Sequence, residues 1–139
     1  MLLTLCKGKL HRATVTKAEL HYVGSITISA DLMAAAGIVP WERVQVVDVA
    51  NGARFETYAV EGRAGSGTVC VNGAAARLVQ VGDPVIIIAY AQMDAAEARG
   101  FHPTIVLMNA DNTIREVLAG AQTEDLGAHP EGEPGAGSR

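Results

Sequence analysis

The sequence is poor in features that would narrow its function quickly. Of its 139 residues only two are cysteine, Cys6 and Cys70, too few for a disulfide framework or a zinc knuckle. Aromatic residues make up 4%, so a core has to be built from aliphatic side chains. The longest apolar run, Val85 to Ala91, is too short to span a bilayer, and no membrane association is expected. The opening Met1-Leu2-Leu3-Thr4-Leu5-Cys6-Lys7 has neither a cationic leader nor a full hydrophobic stretch, and no signal peptide is read there. A cytoplasmic protein with reduced thiols is the expectation. A glycine-rich phosphate loop ending in Lys-Ser or Lys-Thr is absent, which leaves a nucleotide hydrolase without support. His11, His21, His102 and His129 are too scattered for a helical zinc pair, so no metal is expected. The nucleophile elbow of serine hydrolases is missing as well.

What is present is a chain of single-domain length that is 49% hydrophobic and 19% charged, too apolar for disorder. At this size roughly 68% of the unfolded surface can be buried, enough for a self-sufficient core. The net charge of −4 is unevenly spread. Glu124, Asp125, Glu131 and Glu133 face Arg139 alone in the last twenty residues, which accounts for −3 and leaves the body at −1. Near the start, Lys7, Lys9, Arg12 and Lys17 stand against Glu19 alone, with His11 and His21 beside them. That cluster is too small to track a nucleic-acid backbone and suits a small acidic ligand.

The pattern predicts one domain over residues 1–118 and a flexible acidic tail rich in glycine and proline over 119–139. Within the body, Leu3 to Val15 alternates as a strand, with Lys7, Lys9 and His11 on the parity of Leu3 and Leu5. Ser25 to Ile28 is a second strand, followed by a helix over Asp31–Ala36 that Gly37 ends. Arg43–Val49 and Ala53–Val60 flank Asn51-Gly52, a hairpin signal. Thr68–Asn72 is a short strand leading into one helical turn at Gly73-Ala74-Ala75-Ala76. Pro84–Tyr90 reads as a central strand, Asp94–Arg99 as a helix and Thr104–Met108 as a late strand. Many short strands without regular strand–helix alternation predict a small closed or nearly closed β-barrel.

The segment Leu20-His21-Tyr22-Val23-Gly24-Ser25-Ile26-Thr27 carries a chemically suggestive pair. Glycine leaves its carbonyl unshielded, and the serine hydroxyl that follows can attack that carbonyl. The peptide then becomes an ester, and elimination followed by hydrolysis leaves a pyruvoyl group in place of the serine. The dipeptide also occurs at Gly65-Ser66 and Gly137-Ser138, and a tight turn explains it equally well when it is taken alone.

The wider pattern resembles the pyruvoyl-dependent aspartate 1-decarboxylase family. The resemblance runs through Lys9-Leu10-His11-Arg12-Ala13-Thr14-Val15-Thr16, Leu20 to Ser25, Asn51-Gly52-Ala53-Arg54, Thr57-Tyr58-Ala59, Gly65-Ser66-Gly67 and Asn72-Gly73-Ala74-Ala75-Ala76, in order, from residue 1 to about 107. It implies a double-psi β-barrel, self-cleavage between Gly24 and Ser25, and a homotetramer with active sites between subunits. It also implies conversion of L-aspartate to β-alanine and carbon dioxide for pantothenate biosynthesis. The cofactor implied is a covalent pyruvoyl group made from Ser25, which forms a Schiff base with the substrate amine in the role that pyridoxal phosphate fills elsewhere.

Under that resemblance Lys9 and Arg54 hold the two carboxylates of aspartate. Gly73, Ala74 and Ala75 offer small side chains and backbone N–H groups to the substrate. Tyr58 is the proton donor to carbon after carbon dioxide leaves. Thr57 assists self-processing and lies near the substrate, and Asn72 donates its amide at the scissile carbonyl or at the oxygen derived from it. His11 and Tyr22 take supporting roles. A regular strand places Arg54 and Tyr58 on one face and Thr57 on the other, so a bulge, a strand end or a second subunit has to reconcile the three. Two rivals stand beside this reading. One is a non-catalytic barrel that binds a small acid without processing itself. The other is a serine hydrolase using Ser25 with His11, which lacks an orienting carboxylate in the motif.

Overall fold

A computed structural model describes residues 1–126. The part of the expected tail from residue 127 onward lies outside the described residues. Two long strands dominate the molecule, β1 (Leu2–Thr14) and β7 (Pro84–Asp94), paired antiparallel along nearly their whole length. Between them in sequence lie β2 (Lys17–Glu19), β3 (Ser25–Ser29), β4 (Arg43–Asp48), β5 (Arg54–Gly62) and β6 (Val69–Asn72). After β7 come β8 (Thr104–Met108) and β9 (Ile114–Leu118). The strand order is β2-β6-β3-β5-β4-β7-β1-β8-β9.

This order closes on itself, because β2 continues β1. Only Val15 and Thr16 separate the two, and Thr16 N donates to Val69 O at 2.8 Å. The Thr16 hydroxyl in turn accepts from Val69 N at 2.9 Å. One bent strand therefore pairs with β7 through its first part and with β6 through its last. The outer pair β8 and β9 extends from the free edge of β1 at Gly8–His11. Parallel pairs β3·β5 and β2·β6 set among antiparallel neighbours require the crossed connections of a double-psi barrel. The mainly-β architecture with a few short helices agrees with expectation.

The inward residues are the aliphatic ones. Ile26 and Ile28, Val44 and Val46, Val69 and Val71, and Val85 and Ile87 alternate with outward side chains and are at most 1% exposed. Helix α1 (Ala30–Ala36) closes one side with Leu32, Met33 and Ala36, and Gly37 ends it in the left-handed conformation at φ 73°. α1 lies so close to β1 that a Cβ at Gly8 would strike the carbonyl of Ala36. The Asn51-Gly52 turn joins β4 to β5, with Asn51 Oδ1 accepting from Ala53 N at 2.8 Å.

Strand β1 departs from simple alternation. Its register against β7 shifts between Cys6 and Gly8 and again between His11 and Ala13. Arg12 occupies the second bulge at φ 66°. The buried set therefore runs Gly8 and Leu10, then Ala13 and Val15, changing parity at the bulge. Lys7, left unpaired in the first bulge, reaches Glu42 Oε2 at 2.7 Å. Helix α2 (Ala95–Arg99) is capped by Asp94, which accepts from Glu97 N. In the segment 119–126, Ala121 is buried with its N–H on Pro103 O, ahead of a 3₁₀ turn at Thr123–Leu126.

Candidate active site

The antiparallel register of β3 and β6 sets Ser25 opposite Asn72 and Thr27 opposite Cys70. Ile26 and Ile28 face inward from β3, and Val69 and Val71 from β6, so strand alternation sends these four polar residues to the outer face together. Ser25 is 5% exposed and Asn72 3%, unusually buried for an outer face. Asn72 Nδ2 donates to Ser25 Oγ at 2.9 Å and to Thr27 Oγ1 at 3.0 Å. Cys70 Sγ donates to Asn72 Oδ1 at 3.2 Å. The Asn72 amide is thus committed to hydroxyls and a thiol.

Gly73, the first residue of a 3₁₀ turn at Gly73–Leu78, sits at φ 81°. A Cβ there would lie 2.7 Å from Gly24 Cα and 3.0 Å from Gly24 N. Only glycine lets the Gly24 backbone rest on this turn. The pair Gly24-Ser25 is therefore held from both sides by the consecutive residues Asn72 and Gly73. Ala74 is exposed and Ala75 half-buried on the same turn. A cavity of about 480 Å³ opens beside the four-residue patch, with Tyr22 and Thr68 among its walls.

Tyr58 stands at the level of Ser25. Strands β3 and β5 run parallel with Ile26 beside Ala59, so Ser25 and Tyr58 each come one residue earlier and share the outer face by alternation. The Tyr58 ring leans on Trp41, with centroids 5.5 Å apart and planes tilted by 30°. Register against β4 runs without a shift from Arg54 to Tyr58. Thr57 accordingly faces away from both, and no bulge in this stretch brings the three to one side.

The remaining expected residues lie elsewhere in the chain. Arg54, exposed at the start of β5, is four residues and about 13 Å of extended strand from the level of Ser25. Lys9 and His11 line a different cavity of about 370 Å³ formed by β1, β8 and β9, together with Arg115 and Asp125. His11 Nδ1 is buried there without a hydrogen-bond partner. Burial, reinforced by the positive charges of Lys9, Arg12 and Arg115, holds the His11 pKa below its ordinary value and keeps the ring neutral. One chain thus brings together Tyr22, Gly24, Ser25, Asn72 and Gly73, with Tyr58 alongside, and keeps Lys9, His11 and Arg54 apart from them. Reading the sequence overlooked Thr27 and Cys70 as members of this patch. Alternation within each strand puts Thr27 on the face of Ser25 and Cys70 on the face of Asn72, and that was the available signal.

Among the described residues no cluster of His, Cys, Asp or Glu is arranged to hold a metal ion, and no helix is long and apolar enough to cross a membrane.

A model of the aspartate decarboxylase family matches residues 1–115. The aspartate 1-decarboxylase of Clostridium beijerinckii is 65% identical over 117 residues, covering 84% of this chain and 94% of its own. That of Pelotomaculum thermopropionicum is 58% identical over 128 residues, covering 92% and 97%. That of Moorella thermoacetica is 61% identical over 118 residues, covering 85% and 92%. Among solved structures, the rationally designed mkDPBB_sym_86 protein superposes with a TM-score of 0.44 at 22% identity, over 57% of this chain and 92% of that one.

Proposed function

The chain belongs to the aspartate decarboxylase family, and from that premise we propose that it converts L-aspartate to β-alanine and carbon dioxide with a pyruvoyl group made from its own Ser25. The observation that carries the reading is the double hold on Gly24-Ser25, with Asn72 on the hydroxyl and Gly73 under the Gly24 backbone. A group built at position 25 fits this cradle, because the turn beneath it has no Cβ and the amide beside it donates to oxygen.

Ser25 Oγ bonds to the Gly24 carbonyl carbon as the Gly24–Ser25 C–N bond breaks, and the freed amine takes the hydroxyl proton. Loss of the Ser25 α-proton then expels Oγ with the new Gly24 carboxylate, and water replaces the nitrogen, which leaves as ammonia. Thr57 assists this maturation. Once formed, the pyruvoyl carbonyl supplies an electron sink for the pair left behind by departing carbon dioxide. Tyr58, at the level of residue 25, delivers a proton to the substrate α-carbon. Arg54 binds a carboxylate bidentately and Lys9 holds the other as a point charge. Gly73, Ala74 and Ala75 admit the substrate closely, while Tyr22 and the neutral His11 orient it. Lys9, His11, Arg54 and Thr57 reach residue 25 from another copy of the chain, in a homotetramer whose sites lie between subunits. The product feeds pantothenate biosynthesis in the cytoplasm, and neither nucleic acid nor membrane takes part.

Intact mass under denaturing conditions tests this directly. The purified protein is expected as two chains, one ending at Gly24 and one beginning with a blocked pyruvoyl residue, and to form β-alanine from aspartate. Ser25→Ala is expected as a single inactive chain. A parent chain that stays intact after long warm incubation overturns the reading.

A further inference from the structure

Asn72 occupies the centre of the outer patch, and each polar atom of its amide is engaged. Nδ2 spends its two protons on Ser25 Oγ and Thr27 Oγ1, and Oδ1 accepts from Cys70 Sγ. A primary amide can sit in two orientations of nearly equal shape. Hydroxyls donate or accept, so Ser25 and Thr27 tolerate either one. A thiol offers one proton and accepts only weakly. Burial and the nearby Glu19 carboxylate raise the Cys70 pKa against the opposing pull of Lys17, so the thiol keeps its proton at neutral pH.

We propose that Cys70 is a positioning residue for self-cleavage, turning the Asn72 amide so that Nδ2 faces Ser25, while Thr27 holds that amide in place. This rests on the self-processing reading above. With Nδ2 toward Ser25, one lone pair of Oγ is occupied and the hydroxyl proton is left free of Asn72, available to pass to the amine that must receive it. With the amide reversed, Oδ1 would bind that hydroxyl proton and Nδ2 would face sulfur. The register supplies the geometry, because Thr27 and Cys70 are directly opposite one another, two residues from Ser25 and Asn72 on their respective strands.

The experiment follows cleavage of freshly synthesised full-length chain by denaturing mass spectrometry. Cys70→Ser keeps a donor in the same place but adds a good acceptor, and is expected to cleave more slowly than the parent and faster than Cys70→Ala. Cys70→Ala removes the donor together with the sulfur atom and is expected to cleave about 10-fold more slowly, the effect of one buried hydrogen bond. Thr27→Val, similar in shape, is expected to slow cleavage several-fold and stands in should Cys70→Ala not fold. Thermal melts of each variant on the uncleavable Ser25→Ala background separate folding from chemistry. Parent-like cleavage by folded Cys70→Ala overturns the proposal, as does Cys70→Ser cleaving as slowly as Cys70→Ala. If Cys70→Ala does not fold, parent-like cleavage by Thr27→Val overturns it. A parent that never cleaves overturns the self-processing reading, and this proposal with it.

Discussion

Tyr58 has two tasks that a single substitution can separate. Its ring packs on Trp41, which a phenylalanine would preserve, and its hydroxyl carries the proton assigned to catalysis. Tyr58→Phe is therefore expected to fold and to cleave like the parent, while β-alanine release falls by about 10²–10⁴-fold. Fragment masses and turnover with aspartate check this together. Failure to cleave would move Tyr58 into maturation, and parent-like turnover would assign the proton to another acid. His11 illustrates how environment sets a residue's role. With Lys9, Arg12 and Arg115 around it and Nδ1 buried, it remains an uncharged imidazole where the sequence shows only a histidine among cations.

The 3₁₀ turn at Gly73–Leu78 is the element on which the Gly24-Ser25 pair rests. Gly73→Ala is expected to destabilise the fold by about 1–3 kcal/mol through its positive φ. It should also largely abolish cleavage, because the new Cβ displaces Gly24. Gly65→Ala is the control. Gly65 has φ 77° with nothing within 4 Å, so its variant should lose stability and keep cleavage. Melts on the Ser25→Ala background and fragment yields measure the two effects, and parent-rate cleavage by Gly73→Ala would detach the turn from maturation. Elements with strong local chemistry were legible in the sequence, among them α1 with Gly37 behind it, the Asn51-Gly52 turn and the alternation of β3 and β6. β2 was not, because three residues carry no periodic signal, nor was β9, where every residue except Leu118 is exposed. The bulges in β1 broke the parity on which Lys7, Lys9 and His11 had been aligned. In the site, the proximity of Ser25 to Asn72 follows from a register between strands 47 residues apart, which alternation within either strand does not reveal.

At the scale of the whole barrel, Asp48 and Asp83 link the end of β4 to the start of β7. Asp48 is fully buried, its Oδ1 accepts from Ala50 N at 2.8 Å, and its Oδ2 has no donor. Burial first, and then the hydrogen bond with Asp83, raises the Asp48 pKa, and the same bond lowers that of Asp83. Two such carboxyls are satisfied when they share one proton. The raised Asp48 contributes stability that is complete below its unfolded value of about 3.9 and is lost as pH rises through its folded value. The lowered Asp83 contributes above its unfolded value and loses that contribution as pH falls through its folded one. Asp48→Asn keeps a donor toward Asp83 and cannot ionise, so its melting temperature is expected to decline less than the parent's as pH rises above the unfolded value of about 3.9. Equal declines would remove the pair from the pH response. The bent strand formed by β1 and β2 has a different consequence. The proposed cleavage after Gly24 would leave that strand on a peptide of its own, woven between β7, β8 and β6 with no covalent tie to the rest. In the precursor the whole barrel is one chain, whereas the mature barrel of that proposal, once unfolded, would depend on two separate chains meeting again. On that reading, maturation exchanges a one-chain fold for one whose persistence is a matter of how slowly it comes apart.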